Sequence, residues 1–161
     1  MLSKVDQENL EEKIKGWRLE DPEDQFFFRP CSLSPTEGVS EHCFNTDGNV
    51  EANIIQNLLF AHQTAWQRHL IRQYGNEIML LDATYKTMRY ELPLFFLVVK
   101  TNVNYTVVGS FITQNETTAS IAEALHIFRE WNPQWKAQYF MTDFCHEEIN
   151  AIESTFEGTC T

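Results

Sequence analysis

The 161-residue chain is poor in bases, with 12 Lys and Arg against 23 Asp and Glu and a formal net charge of −11. A nucleic-acid backbone is therefore repelled at long range, and any DNA-binding role has to overcome that sign. The shortage is general: 8 acids face 4 bases in residues 1–24, 4 face 3 in residues 25–76, and 11 face 5 in residues 77–161. Long apolar runs are missing too. Leu92 to Val99 is the longest, and it falls far short of the roughly 20 residues that cross a bilayer as a helix. The first twenty residues alternate charged and polar groups, with no apolar stretch or small-residue cleavage site, which argues against a secretory signal and for an intracellular chain. In that setting the N-x-T sequons at Asn104 and Asn115 carry no meaning.

Cysteines are few and irregularly placed, at 31, 43, 145 and 160. Without a CxxC pair they define neither a zinc knuckle nor a disulfide framework, and they read as buried or unpaired thiols. His62 and His69 have no third ligand at suitable spacing and read as core-edge or solvent histidines.

What the chain does have is 43% apolar residues, 13% aromatic residues and twelve Phe, enough for one globular domain with a substantial core. Residues 1–50 read as an N-terminal appendage and partly disordered linker, and residues 51–161 as the domain. In the appendage, Val5, Leu10, Ile14 and Trp17 fit a short helix over Val5 to Arg18, ended by Asp21-Pro22. The cluster Phe26-Phe27-Phe28-Arg29-Pro30 reads as a plug docking on the domain, with a partner-binding motif as the alternative, and Cys31 to Asn49 as a loop. From Val50 to Tyr74 the apolar spacing predicts one helix of about 22 residues, stopped by Gly75-Asn76.

Beyond Gly75 the pattern changes to strands: Ile78 to Tyr85, Leu92 to Thr101 and Thr106 to Thr113 form a predicted antiparallel meander. A helix over about Thr118 to Trp131 follows, with Ser120 and Glu123 as a candidate capping box. A fourth strand, Ala137 to Phe144, and a helix from His146 to Phe156, closed by Gly158, complete the order β-β-β-α-β-α. With the fourth strand paired to the first, the spatial order is 3-2-1-4, a mixed α/β sheet.

That adjacency brings Asp82 and Asp143 together, each the only ionisable group in its strand and each toward its carboxyl end. A carboxylate in an apolar strand is costly unless it meets a cation or hydrogen-bond donors. Two that converge suit Mg²⁺, which takes oxygen ligands. The other reading is that they merely end their strands and accept bonds from backbone amides, with the acidic His146-Glu147-Glu148 turn answering the helix dipole. On residue chemistry alone both readings stand.

The segments LLDATYKTMRYELPLFFLVVKTN, the ETT-led helix, WNPQW and FMTDFCHEEINAIESTF, with LLFAHQTAWQRHLIRQYGN before them and QFFFRP upstream, resemble the Mutator-like element (MULE) transposase domain. In particular they resemble the version found in animal SWIM-type zinc finger proteins and related domesticated transposases. The resemblance covers about residues 55–158 and implies a ribonuclease H-like fold, with Asp82 and Asp143 as the first two acids of a DDE triad and as Mg²⁺ ligands. It also implies a nuclear location, DNA as the substrate class, a third acid on a helix well beyond the second, a fifth strand, a Cys/His element and a SWIM zinc finger. None of these last four is identifiable within the 161 residues.

The resulting expectation is a transposase-derived ribonuclease H-like domain, truncated before the fifth strand and catalytically incomplete, serving as an interaction or regulatory module. The alternative is one part of an active metal-dependent DDE transposase or nuclease. With the fourth strand exposed as a sheet edge and Phe140, Phe144 and Phe156 short of cover, marginal stability, self-association or a protein partner at that edge is expected, with no membrane contact.

Overall fold

In this computed structural model the described residues are 3–31, 56–84, 90–143 and 145–161. In chain order the elements are α1 (Lys4–Glu20), β1 (Gln25–Arg29), β2 (Leu59–Gln63), α2 (Ala65–Tyr74), β3 (Ile78–Thr84), β4 (Leu94–Lys100), β5 (Tyr105–Thr113), α3 (Thr118–Trp131), β6 (Tyr139–Met141) and α4 (His146–Thr155). The six strands form one sheet in the order β1-β2-β5-β4-β3-β6. Its β5-β4-β3-β6 portion is the expected 3-2-1-4 arrangement, and β6 runs parallel to β3 while the other pairs are antiparallel.

Period-two burial sets the core face. Met79 and Leu81 of β3, Phe95, Leu97 and Val99 of β4, Phe111 of β5, and Leu59 and Ala61 of β2 are all buried. They join Leu70 and Ile71 of α2, Ile121, Leu125 and Phe128 of α3, and Ala151 and Ile152 of α4 in one cluster. Phe95 stacks on Phe111 at 4.7 Å, and Phe128 reaches Phe111 at 6.1 Å. Gly109 lets this ring approach the sheet, because a Cβ there would lie 2.5 Å from Phe128 Cε1.

Two strands depart from expectation. The helix predicted over Val50 to Tyr74 is strand β2 followed by the shorter α2, while residues 50–55 lie outside the described set. The apolar run Leu58-Leu59-Phe60-Ala61 satisfies either period, and two waiting strand partners, β1 and β5, decide for the sheet. Thr64 then starts α2 with a reciprocal capping box to Gln67. The phenylalanine cluster is strand β1. Phe27 packs toward the core, and Phe26, on the other face, stacks on His62 at 4.4 Å and on Trp17 of α1 at 6.0 Å. Cys31 is the last described residue of the predicted loop over Cys31 to Asn49.

The expected capping box of Ser120 with Glu123 is not formed. Thr117 caps α3 by accepting from the Ser120 amide, and Glu123 instead takes both terminal nitrogens of Arg29, clamping β1 onto α3. The expectation that Phe140 and Phe156 lack cover is also corrected, while Phe144 lies outside the described residues. Phe140, Phe156 and Trp135 pack on one another at 4.7–6.0 Å, and each is about 95% buried or more. Beyond them the chain returns to β6: the Phe140 amide donates to Cys160 O at 2.8 Å and the Cys160 amide to Gln138 O at 3.2 Å, forming a parallel bridge on the outer side of β6. Among the described residues no helix is long and apolar enough to cross a membrane.

Candidate metal centre

The centre sits where β3 and β6 finish. Their parallel register ends with Leu80 paired to Met141; Asp82 lies two residues further along β3 and Asp143 two residues beyond the end of β6. Both aspartates are exposed, on the sheet face opposite Met79 and Leu81. The connection from β3 through β4, β5 and α3 returns the chain to pair β6 parallel with β3, which brings the two aspartates, distant in sequence, toward one end of the sheet.

Two further carboxylates reach the same place from helix starts. Glu116 immediately precedes the Thr117 cap of α3, and Glu148 lies in the first turn of α4. Glu148 is 1% exposed, and one of its oxygens accepts a hydrogen bond from the Thr142 hydroxyl. Burial, and then repulsion from Glu116, Asp143, Asp82 and Glu147, pushes its carboxyl up to about 7. Asp82 and Asp143 thus act on the same buried group, which places all of these acids within electrostatic reach of one another.

Cys145 occupies the N-cap position of α4 without capping it through its side chain. Its thiol lies 3.2 Å from Glu147 Oε2 and 3.9 Å from Glu116 Oε1. Burial raises the thiol above its ordinary range, and the contact with the thiol holds the exposed Glu147 carboxyl below its own. Glu116, Cys145 and Glu148 each offer a ligand atom within 4.8 Å of the others.

The donor chemistry fits a hard divalent cation. Carboxylate oxygens are the ligands Mg²⁺ and Mn²⁺ prefer, and a buried carboxyl raised by like charges is one that a cation would relieve. A protonated thiol contributes little to a hard ion, so Cys145 borders the oxygen set rather than joining it.

Of the expected residues, Asp82 lies in β3 and Asp143 lies beyond the end of β6, the fourth strand being only Tyr139–Met141 rather than Ala137 to Phe144. Both act electrostatically on Glu148, while the ligand atoms that cluster belong to Glu116, Cys145 and Glu148. Glu148 left a trace in the sequence: it shares the buried stripe of Ala151, Ile152 and Thr155, at helical spacing. A carboxylate on an apolar stripe is a stronger signal than a helix dipole explains. Glu116 left none, since an acid just ahead of a helix cap is ordinary. The two histidines, expected on one helix, lie on different elements: His62, in β2, is 3.6 Å from Asp24, and His69, in α2, stacks on Trp66 at 5.4 Å.

Among known proteins, the family model for the ribonuclease H-like domain of zinc finger SWIM domain-containing proteins 1 and 3 matches residues 37–160. No curated protein and no solved structure matches the chain.

Proposed function

Starting from the fact that this chain belongs to the ribonuclease H-like domain family of zinc finger SWIM domain-containing proteins 1 and 3, we propose that it is a transposase-derived module that binds a divalent cation at Asp82, Asp143 and Glu148 and acts through a protein partner rather than by cutting DNA on its own. The MULE resemblance supports the descent and a nuclear setting. The observation that carries the reading is the crowding of Glu148 by Glu116, Asp143, Asp82 and Glu147. Asp82, Asp143 and Glu148 form no salt bridge with a lysine or arginine among the described residues. Such a place attracts a small cation and repels a phosphodiester strand.

A bound Mg²⁺ would supply electrostatic polarisation of water and phosphoryl oxygens. The chain's own part is to hold the ligands. β3 carries Asp82, the segment leaving β6 carries Asp143, and Thr142 orients the Glu148 carboxyl through its hydroxyl. The packing of α4 against α3 excludes water behind Glu148.

A second reading, a metal-dependent nuclease, is favoured by one specific observation: Glu148 and Glu116 give the centre a third and a fourth carboxylate, where residue spacing supplied two. One pair of measurements separates them. Thermal melting at pH 8 with and without Mg²⁺ is expected to show a rise in the wild-type midpoint that Asp82→Ala and Asp143→Ala each abolish; no rise in wild type overturns the cation site. Mn²⁺- or Mg²⁺-dependent cleavage of labelled single- and double-stranded DNA is expected to be equal in wild type and Asp82→Ala. Cleavage lost in Asp82→Ala alone would replace the first reading with the second.

A further inference from the structure

A cleft of about 190 Å³ lies on the far side of the domain from the carboxylates, where the end of α2 meets the turn after α3. Arg68 and Arg72, one helical turn apart on α2, form one wall, and Trp131, Pro133, Gln134 and Trp135 form the other. Among the described residues no carboxylate lines it. In a chain of net charge −11, two guanidinium groups in a concavity whose described lining holds no acid are a marked local reversal.

The arginines are not consumed by structure. Arg68 gives one terminal nitrogen to the Glu23 carbonyl, yet its Nε is buried without a hydrogen-bond partner among the described residues. Arg72 is exposed and has no hydrogen bond or ion pair to any described residue. A buried donor without an acceptor is costly and rare in native proteins, and an acceptor from outside would satisfy it.

The rest of the cleft is fixed. The Trp135 indole donates to Gly75 O at 3.1 Å, and Asn132 Nδ2 donates to Gln63 Oε1 at 2.7 Å and to Phe128 O at 2.8 Å. The turn that faces the arginines is therefore held from behind, with its aromatic and proline surfaces forming a rigid apolar side.

From this we infer that the Arg68–Arg72 cleft binds a small phosphate monoester. The planar guanidinium groups match phosphate oxygens in a forked geometry that an ammonium does not offer. The volume admits the phosphate and a compact planar substituent against Trp131 and Pro133, but not a folded peptide or a base-paired strand. This site is independent of the carboxylate centre and takes the opposite charge.

Phenyl phosphate and inorganic phosphate titrated into the full chain in the presence of EDTA, followed by calorimetry and by tryptophan fluorescence, test it. Phenyl phosphate is expected to bind at about millimolar or tighter, to change the fluorescence, and to bind about tenfold more weakly to Arg72→Gln. Arg72 is exposed on a helix, so that variant is expected to melt like wild type, and Lys100→Gln, at the exposed end of β4, is expected to bind like wild type. Equal binding by wild type and Arg72→Gln, or equal weakening by Lys100→Gln, overturns the site. Inorganic phosphate binding as tightly as phenyl phosphate overturns the role of the apolar wall.

Discussion

The parallel strands β3 and β6 share one register but meet different chemistry at their two ends, roughly 20 Å apart along β3. At the carboxyl ends stand Asp82 and Asp143, with Glu148 and Glu116 delivered by helix starts. At the amino ends the chain is stitched by Gln138 and Tyr139 amides donating to Asn76 and Glu77 carbonyls, beside the turn that Arg68, Arg72, Arg129 and Lys136 surround. Here Arg129 donates to the Thr155 carbonyl and lies 5.4 Å from the Phe156 ring, a use of charge that stabilises the end of a helix. One end thus concentrates charge against its own burial cost, whereas at the other Arg129 and one terminal nitrogen of Arg68 meet backbone carbonyls. A difference of this kind marks the first end as the one that stability alone would not build.

The largest expected effect comes from loosening the amino end. Trp135→Ala removes a buried ring packed on Phe140 and Phe156, and its bond to Gly75. It is expected to cost about 3–5 kcal/mol, read as a fall in the urea midpoint. If the two ends are independent, Mg²⁺ should still raise the melting temperature of whatever folded fraction remains.

Glu148→Gln acts at the other end and with the opposite sign. A carboxyl raised to about 7 when folded holds a proton that the unfolded chain releases near 4.5, so stability falls as pH rises between those values and levels off above. The variant should match wild type near pH 4 and exceed it at pH 8 by roughly 3 kcal/mol. Chemical denaturation across that pH range measures it, and a wild-type curve that is flat from pH 4 to 8 would remove the asymmetry between the ends.

Asn132→Ala is expected to cost about 1–3 kcal/mol, because it leaves the buried Gln63 carbonyl oxygen without its donor. Amide exchange in the Trp131–Trp135 turn should rise while that of α4 stays unchanged. Smallest is Thr117→Ala, which removes the α3 cap next to Glu116 for about 1 kcal/mol, read as a small fall in melting temperature.

Legibility in the sequence followed how local the deciding physics is. The β3, β4, β5, α3, β6, α4 succession was readable because each segment carries its own period, although the fourth strand expected over Ala137 to Phe144 is only Tyr139–Met141. The action of Asp82 and Asp143 on one group, Glu148, goes with β6 lying parallel to β3. Strand β2 was not readable, because its apolar residues satisfy both periods and its choice is made by β1 and β5, partners far away in sequence. The centre was half legible for the same reason. Asp82 interrupts a strand and Asp143 follows one, which announces them, whereas Glu116 and Glu148 become part of it only through the packing of α3 and α4.

The clamp of Arg29 on Glu123 has a kinetic side. The β3-β4-β5 meander joins neighbours through short turns, whereas β1 must find β2 across the 29 residues between Arg29 and Leu59, and then α3 at a separation of 94 residues. Closing loops of that length slows folding. Strand β1 and helix α1 are therefore expected to join a preformed meander late, with Arg29 fastening them. Weakening that clamp should speed unfolding while leaving the folding rate nearly untouched, so the strand nearest the amino terminus sets how long the folded domain persists.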